Sequence, residues 1–274
     1  MKIAAAQMVS TSDVARNLDT AQRLIARAAA QGAQLVGLPE YFCFMGHGDR
    51  DKLAIAEAPI GEDGAGGGPI QRALTQAARE HRVWLVGGTL PLRSADPNRV
   101  RNSTLVFAPD GRLTARYDKV HLFRYDNGRE RYDEGVVLEA GDTPVAVQCD
   151  SLRVGLSVCY DLRFPELYRA LMQPPCDLIA APSAFTSSTG RAHWELLLRA
   201  RAVENQAYVL APAQGGVHEN GRRTWGHSMI VDPWGEVLGV LNEGEGVVLA
   251  EVDRARLAAV RTQLPALEHR RIAD

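Results

Sequence analysis

Leu152-Arg-Val-Gly-Leu-Ser-Val-Cys-Tyr-Asp-Leu-Arg-Phe-Pro-Glu166 is an apolar strand that runs into a cysteine and then into a helix. Pro165 suits the first turn of that helix, where its missing N–H costs nothing. In α/β sheets, ligands gather at the carboxyl ends of strands, so Cys159 is positioned to face a pocket. A helix N-terminus nearby is expected to favour its thiolate. Taken alone, a buried cysteine is more often a small core residue. Ser157 is a rival nucleophile, because Gly155-Leu-Ser-Val-Cys159 resembles G-x-S-x-G with the last glycine replaced. A nucleophile elbow needs its serine on the sharp turn. Ser157 lies two positions before it, so Cys159 is better placed.

The same alternation of strand and helix extends in both directions. Lys2 to Gln7 is a predicted strand, followed by a helix from an Asp13 cap to about Gln31, stopped by Gly32. Leu18, Ala21, Leu24, Ile25 and Ala28 give that helix an apolar stripe. Strands are expected over Gln34–Leu38, Val83–Thr89, Leu178–Ala181, Tyr208–Ala213 and Val247–Val252, and helices over Pro69–His81, Pro165–Met172 and Arg191–Gln206. Two hairpins have similar turns, VFAPDGRL at 106–113 and IVDPWGEV at 230–237, which hints at an internal two-fold arrangement. The run Gly61-Glu-Asp-Gly-Ala-Gly-Gly-Gly68 lacks the G-x-G-x-x-G spacing and follows no strand, so it is expected to be a surface loop rather than a dinucleotide site. The class is α/β.

Composition narrows the function. Of 274 residues, 46% are hydrophobic and 23% charged, with 31 Lys plus Arg against 33 Asp plus Glu. That balance lacks the basic excess of a dedicated nucleic-acid binder. No apolar run is long enough for a transmembrane helix, and the start is too short in apolar residues for a signal peptide. Cys43, Cys149, Cys159 and Cys176 form no Cys-x-x-Cys pair, and a cytoplasmic, reduced protein is expected. His193-Trp-Glu195 has the first half of a deaminase zinc motif, but no P-C-x-x-C follows; no metal is expected.

A thiol nucleophile needs a base and a cation. Glu40, after Leu35-Val-Gly-Leu-Pro39, falls at a strand's carboxyl end, and Lys119 falls just past the first hairpin. Each alone is more ordinarily a solvated loop or strand-end charge.

Together, the blocks GLPEYF (37–42), RYDKVHLF (116–123) and GLSVCYDLRFPELYR (155–169) resemble the nitrilase, or carbon–nitrogen hydrolase, superfamily, with its Glu–Lys–Cys triad in the same order. The resemblance runs from IAAAQM (3–8) to VVLAEVD (247–253). It implies catalytic roles for Glu40, Lys119 and Cys159, and for Glu134 as second glutamate, with Glu139 its competitor. It implies a four-layer α-β-β-α sandwich, one domain over 1–274, and a homodimer or higher oligomer to which the C-terminal segment contributes. No cofactor is implied.

The stretch from Pro182 to Gly216, with GHSMIVDPWG at 226–235, is similar to the Nit branch. The implied reaction is hydrolysis of the side-chain amide of a 2-oxo acid, deaminated glutathione first, 2-oxoglutaramate next; nitriles and N-carbamoyl amides are wider alternatives. An interaction protein on a hydrolase scaffold is the non-enzyme alternative. The substrate is an anion, so Arg163, four residues beyond Cys159, is a candidate carboxylate ligand, unless it pairs with Glu166 or Asp161. Tyr160, by its backbone N–H, and Phe185 and Thr189 are candidate substrate contacts, with Thr189 alternatively a helix cap. Trp194, Leu197, Leu198 and Arg201 follow helical spacing, and the apolar members are expected to pack.

Overall fold

A computed structural model describes residues 1–61, 66–128 and 131–272. Five helices are present among them: α1 (Val14–Ala30), α2 (Pro69–His81), α3 (Pro165–Leu171), α4 (Ser187–Asn205) and α5 (Arg254–Gln263). Two larger sheets stack between the helices. In the first, the strand order is Gly246–Glu251, Lys2–Gln7, Leu35–Gly37, Trp84–Val86, Val100–Phe107 and Leu90–Arg93, with Leu113–Asp118 also paired to Val100–Phe107. In the second it is Val237–Leu241, Ser228–Val231, Tyr208–Ala211, Leu178–Ala180, Leu152–Leu156 and Ala146–Cys149.

Strand alternation explains the layering. Successive side chains point to opposite faces. Ile3 and Ala5 therefore join the core against the second sheet, with Val154, Leu156 and Leu210, whereas Ala4 and Ala6 join Leu24, Ile25 and Leu74 beneath α1 and α2. On the far side Leu167, Tyr168, Trp194 and Leu198 of α3 and α4 close the second sheet. The layers run helix, sheet, sheet, helix, as the resemblance implied.

The two sheets repeat one topology. Each has three parallel strands joined by helical crossovers, then an antiparallel hairpin. Both hairpins carry a register shift, between Val106 and Phe107 and between Ile230 and Val231. The two-fold hint in the turn sequences thus has a topological counterpart.

Several elements depart from expectation. Asp13 caps α1 as its sequence suggests, accepting from Arg16 N at 3.1 Å. The strand predicted over Val83–Thr89 stops at Val86, and a separate strand begins at Leu90. Gly87 and Gly88 break it, Gly88 at φ +58°. Helix α4 starts at Ser187, not Arg191, because Thr186 supplies the cap. Of the glycine-rich loop, residues 62–65 lie outside the described residues. Its last glycine precedes α2, whose first N–H groups meet the buried Glu57 carboxylate, Ile70 N at 2.6 Å and Gln71 N at 3.1 Å. Among the described residues no helix is long and apolar enough to cross a membrane.

Candidate active site

Three chain segments leave the strand ends together. Glu40 follows Leu35–Gly37, Lys119 follows Leu113–Asp118, and Cys159 follows Leu152–Leu156. Tyr41 and Cys159 adopt φ of +56° and +49°, a left-handed conformation uncommon outside glycine. Such strain persists only where the surroundings enforce it, and it clusters at functional sites. Asp161 enforces it at the cysteine. Its buried carboxylate accepts from Val158 N at 2.8 Å, Tyr117 Oη at 2.7 Å and His121 N at 3.0 Å. Thr89 Oγ1 accepts from Tyr41 N at 2.9 Å and holds the other turn.

Lys119 is the centre of the charge network. Its ammonium donates to Glu40 Oε1 at 2.9 Å and to both oxygens of Glu134, at 3.0 and 2.8 Å. The lysine and Glu40 side chains are 0% and 1% exposed. Asn102 Nδ2 also donates to Glu40 Oε1 at 2.9 Å, and Gln214 Nε2 holds the Glu40 carbonyl at 3.0 Å. Glu40 Oε2 accepts no hydrogen bond among the described residues. Glu134 further accepts from Tyr41 Oη and Phe123 N, both at 2.7 Å. Glu139, the competitor for the second glutamate, pairs instead with Arg101.

Protonation follows from this arrangement. Burial alone would lower the Lys119 pKa, but Glu134 and Glu40 outweigh it and hold the ammonium above its ordinary value. Burial would raise Glu134, but Lys119 and the hydrogen bonds around it hold the carboxylate below its ordinary value. The Cys159 thiol is pushed well up by burial and by Glu40, with Lys119 only partly opposing. Burial and Glu40 thus oppose the thiolate that a helix terminus was expected to favour, and the sulfur lines the same cleft as a carboxylate with a free oxygen.

Cys159, Glu40 and Glu134 line one narrow cleft with Arg163, Phe185 and Thr189. Tyr160, Phe123, Thr186 and Arg222 border it too. Arg163 forms no ion pair with Glu166 or Asp161; Nη1 lies 3.3 Å from His193 Nδ1, and the guanidinium stands 5.5 Å from the Phe185 ring centre. It is reached from a 3₁₀ turn, Cys159–Arg163, rather than an α-helix. Thr189 does not cap α4; its N–H donates to the true cap, Thr186 Oγ1, at 3.3 Å. Ser157 is fully buried and donates to Ala180 O at 2.9 Å, away from this role. Cys43, Cys149 and Cys176 are buried free thiols. Among the described residues no three His, Cys, Asp or Glu side chains are grouped to hold a metal ion.

Sequence reasoning missed Tyr41, Asn102, Asp161 and Arg222. Tyr41 and Asp161 sit inside the quoted motif blocks, beside residues that were singled out. Arg222 follows Asn220-Gly221, a strong hairpin-turn dipeptide. That signal locates the hairpin Gly215–Val217/Arg223–Trp225 but not its approach to the cleft. The approach depends on Gly190 in α4, where a Cβ would fall 2.3 Å from Trp225 Cβ.

The family model for carbon-nitrogen hydrolases matches residues 2–262. A deaminated glutathione amidase of Synechocystis is 41% identical over 271 residues, covering 97% of each chain. A human omega-amidase is 38% identical over 272 residues, covering 98% of this chain and 95% of the relative. The crystal structure of Saccharomyces cerevisiae Nit3, a member of the nitrilase superfamily, superposes with a TM-score of 0.89 at 29% identity, covering 99% of this chain and 97% of that one.

Proposed function

The chain belongs to the carbon–nitrogen hydrolase family, and on that premise we propose that it is an amidase acting on deaminated glutathione through a Cys159 thioester. The products are 2-oxoglutarate and cysteinylglycine. The observation that carries this reading is the buried Lys119 ammonium held between Glu40 and Glu134, with Cys159 lining the same cleft.

Glu40 is the general base. It takes the Cys159 proton as the sulfur attacks the amide carbon, so no thiolate need exist beforehand. The C=O bond opens to an oxyanion, which Lys119 and the Tyr160 backbone N–H stabilise. All three Lys119 donors are held by carboxylate oxygens in the free protein, so the oxyanion displaces one oxygen of the doubly bonded Glu134. Collapse breaks the C–N bond, and Glu40 returns its proton to the leaving amine. Water then loses a proton to Glu40 and attacks the thioester. The C–S bond breaks, and the thiol regains its proton. Glu134 orients the ammonium throughout. Arg163 receives the 2-oxo acid carboxylate, Phe185 supplies an apolar wall and Thr189 a hydroxyl. No cofactor enters this scheme.

The same machinery serves an omega-amidase acting on 2-oxoglutaramate, and similarity to the human omega-amidase favours keeping it as the second reading. We assign residues 1–274 to one domain of a cytoplasmic homo-oligomer. Exposed Leu196, Val203, Trp234 and Leu238 support burial against another copy. The test compares kcat/KM for deaminated glutathione and 2-oxoglutaramate. Preference for the first supports the proposal, preference for the second replaces the substrate, and turnover surviving in Cys159→Ala removes the mechanism.

A further inference from the structure

Arg222 is a second cation at the active cleft, and the mechanism above does not use it. Its place is unusual. It is the one described residue shared by the catalytic cleft and a neighbouring cleft of about 430 Å³, lined by Met45, Lys52, Arg131 and Asn220 among others. The guanidinium lies 5.1 Å over the Tyr132 ring centre. Nη2 reaches the Ala184 carbonyl at 3.3 Å, and Nη1 meets only the Met45 sulfur at 4.0 Å. Its buried Nε has no partner. No carboxylate pairs with it among the described residues, whereas Lys52 is 3.4 Å from Asp49 and Arg131 is 4.0 Å from Asp126. A guanidinium carries five donors in a fixed fork, and burying one without a partner is costly. Such a group is poised for an anion.

The anion's origin follows from the two volumes. The catalytic cleft is tight, about 20 Å³ of water-sized space against about 430 Å³ in its neighbour, so it admits only a compact group. Arg163 already faces that group. The amine half must depart after the C–N bond breaks, so it points toward the open volume, past Arg222. We propose that Arg222 marks a leaving-group subsite for a carboxylate carried on the departing amine. The substrate class is then an amide anionic at both ends, an acidic peptide or amino-acid amine joined to a 2-oxo acid. This rests on the amidase reading above and deepens it. Ammonia, the leaving group of 2-oxoglutaramate, would leave Arg222 unused.

Three amides with one acyl half test it: 2-oxoglutaramate, deaminated glutathione, and deaminated glutathione with its glycine carboxylate converted to an amide. Wild-type protein should prefer the free carboxylate over its amide by roughly tenfold in kcat/KM, mainly through KM. In Arg222→Ala that ratio should fall to about one, and Arg222→Lys should keep part of it, retaining charge without the fork. A wild-type ratio near one overturns the subsite, and it is read without any variant. So does a ratio unchanged in Arg222→Ala, since a purely structural arginine would slow all three amides together. Should wild-type protein hydrolyse none of them, the amidase reading fails instead. Calorimetric binding of the free acid and its amide to Cys159→Ala protein then decides the subsite: a preference abolished by Arg222→Ala supports it, and no preference, or no binding, removes it.

Discussion

The N-terminal and C-terminal halves of the fold share a frame and divide the chemistry. In each, three parallel strands lead through two helical crossovers into a bulged hairpin. In the first half the chain leaving the second strand carries Glu40, and the chain leaving the hairpin carries Lys119. In the second half the chain leaving the first strand carries Cys159, and the second crossover carries Phe185 and Thr189. The base and the ammonium therefore come from one half, and the thiol, its apolar wall and the two cleft arginines from the other. Neither half holds a complete site. At the position equivalent to Cys159, after the first strand of the N-terminal half, Ser10 is a structural link: its hydroxyl donates to Phe42 O at 2.9 Å and accepts from Gln214 Nε2 at 2.7 Å. Cross-links between halves keep the parts in register. Tyr117 reaches Asp161 at 2.7 Å, and Gln214 reaches the Glu40 carbonyl at 3.0 Å.

Removing the contribution of the second half should have the largest effect. Cys159→Ala is expected to reduce turnover on the order of 10⁴-fold or more, since the covalent route is gone. Stability should change little, because the truncation removes only a weak contact with the Ala184 backbone and exposes no buried charge. Thermal unfolding and single-turnover kinetics check both. Retained turnover would place the nucleophile elsewhere and dissolve the division of labour.

The first half contributes the base, and Glu40→Gln isolates it. Proton transfer by a positioned group accounts for about 10²–10⁴-fold, so kcat should fall by that factor with little change in KM. The amide keeps the size of the side chain. A loss confined to KM would make Glu40 a binding group and not a base.

How much of this division could be seen in the residues alone depends on the kind of signal. Glu40 and Cys159 follow apolar runs at strand ends and Lys119 follows the second strand of a hairpin, so their placement was legible from local pattern, and the motif order joined them. The repeat was visible only as two similar turns, because strands as short as Leu35–Gly37 and Leu178–Ala180 leave no periodicity to compare. Asp161 and Asn102 were invisible as site residues for a different reason. Their roles are hydrogen bonds to groups 40 and 62 residues away, to His121 and to Glu40, and nothing local encodes a partner at that separation. Helix proximity suggested support for a thiolate, whereas burial and the Glu40 carboxylate, brought near only once the halves meet, oppose it.

Glu134 lies in the connection between the halves, and besides orienting Lys119 its charge should matter to stability. Its pKa is lowered in the fold, so its contribution is full above the unfolded value of about 4.3 and is lost as pH falls through the folded value. Lys119 is raised, so its share is full below about 10.4 and is lost as pH rises beyond that toward its folded value. Between these limits Glu134→Gln should cost about 3 kcal/mol, the lower end for breaking a buried pair, because the glutamate is partly exposed. Urea unfolding from pH 7 downward should show the gap between variant and wild type closing below about pH 4. A gap constant through that range would mean Glu134 acts by packing alone.

The smallest effects separate the halves most finely. Asp13 caps α1 on the outer layer of the first half, and Thr186 caps α4 at the cleft of the second. Replacing either by Ala should cost about 1 kcal/mol, the usual loss for an N-cap, measured by urea unfolding. Their kinetics should differ. Asp13→Ala leaves the cleft intact, and kcat/KM should stay within twofold. Thr186→Ala removes the hydroxyl that Thr189 Oγ1 meets at 2.9 Å, freeing the first turn of α4 beside the cleft, so KM should rise several-fold at unchanged Glu40 chemistry. Equal kinetics in the two variants would show that the α4 terminus is scaffold only, and that substrate contacts in the second half begin at the Cys159 turn.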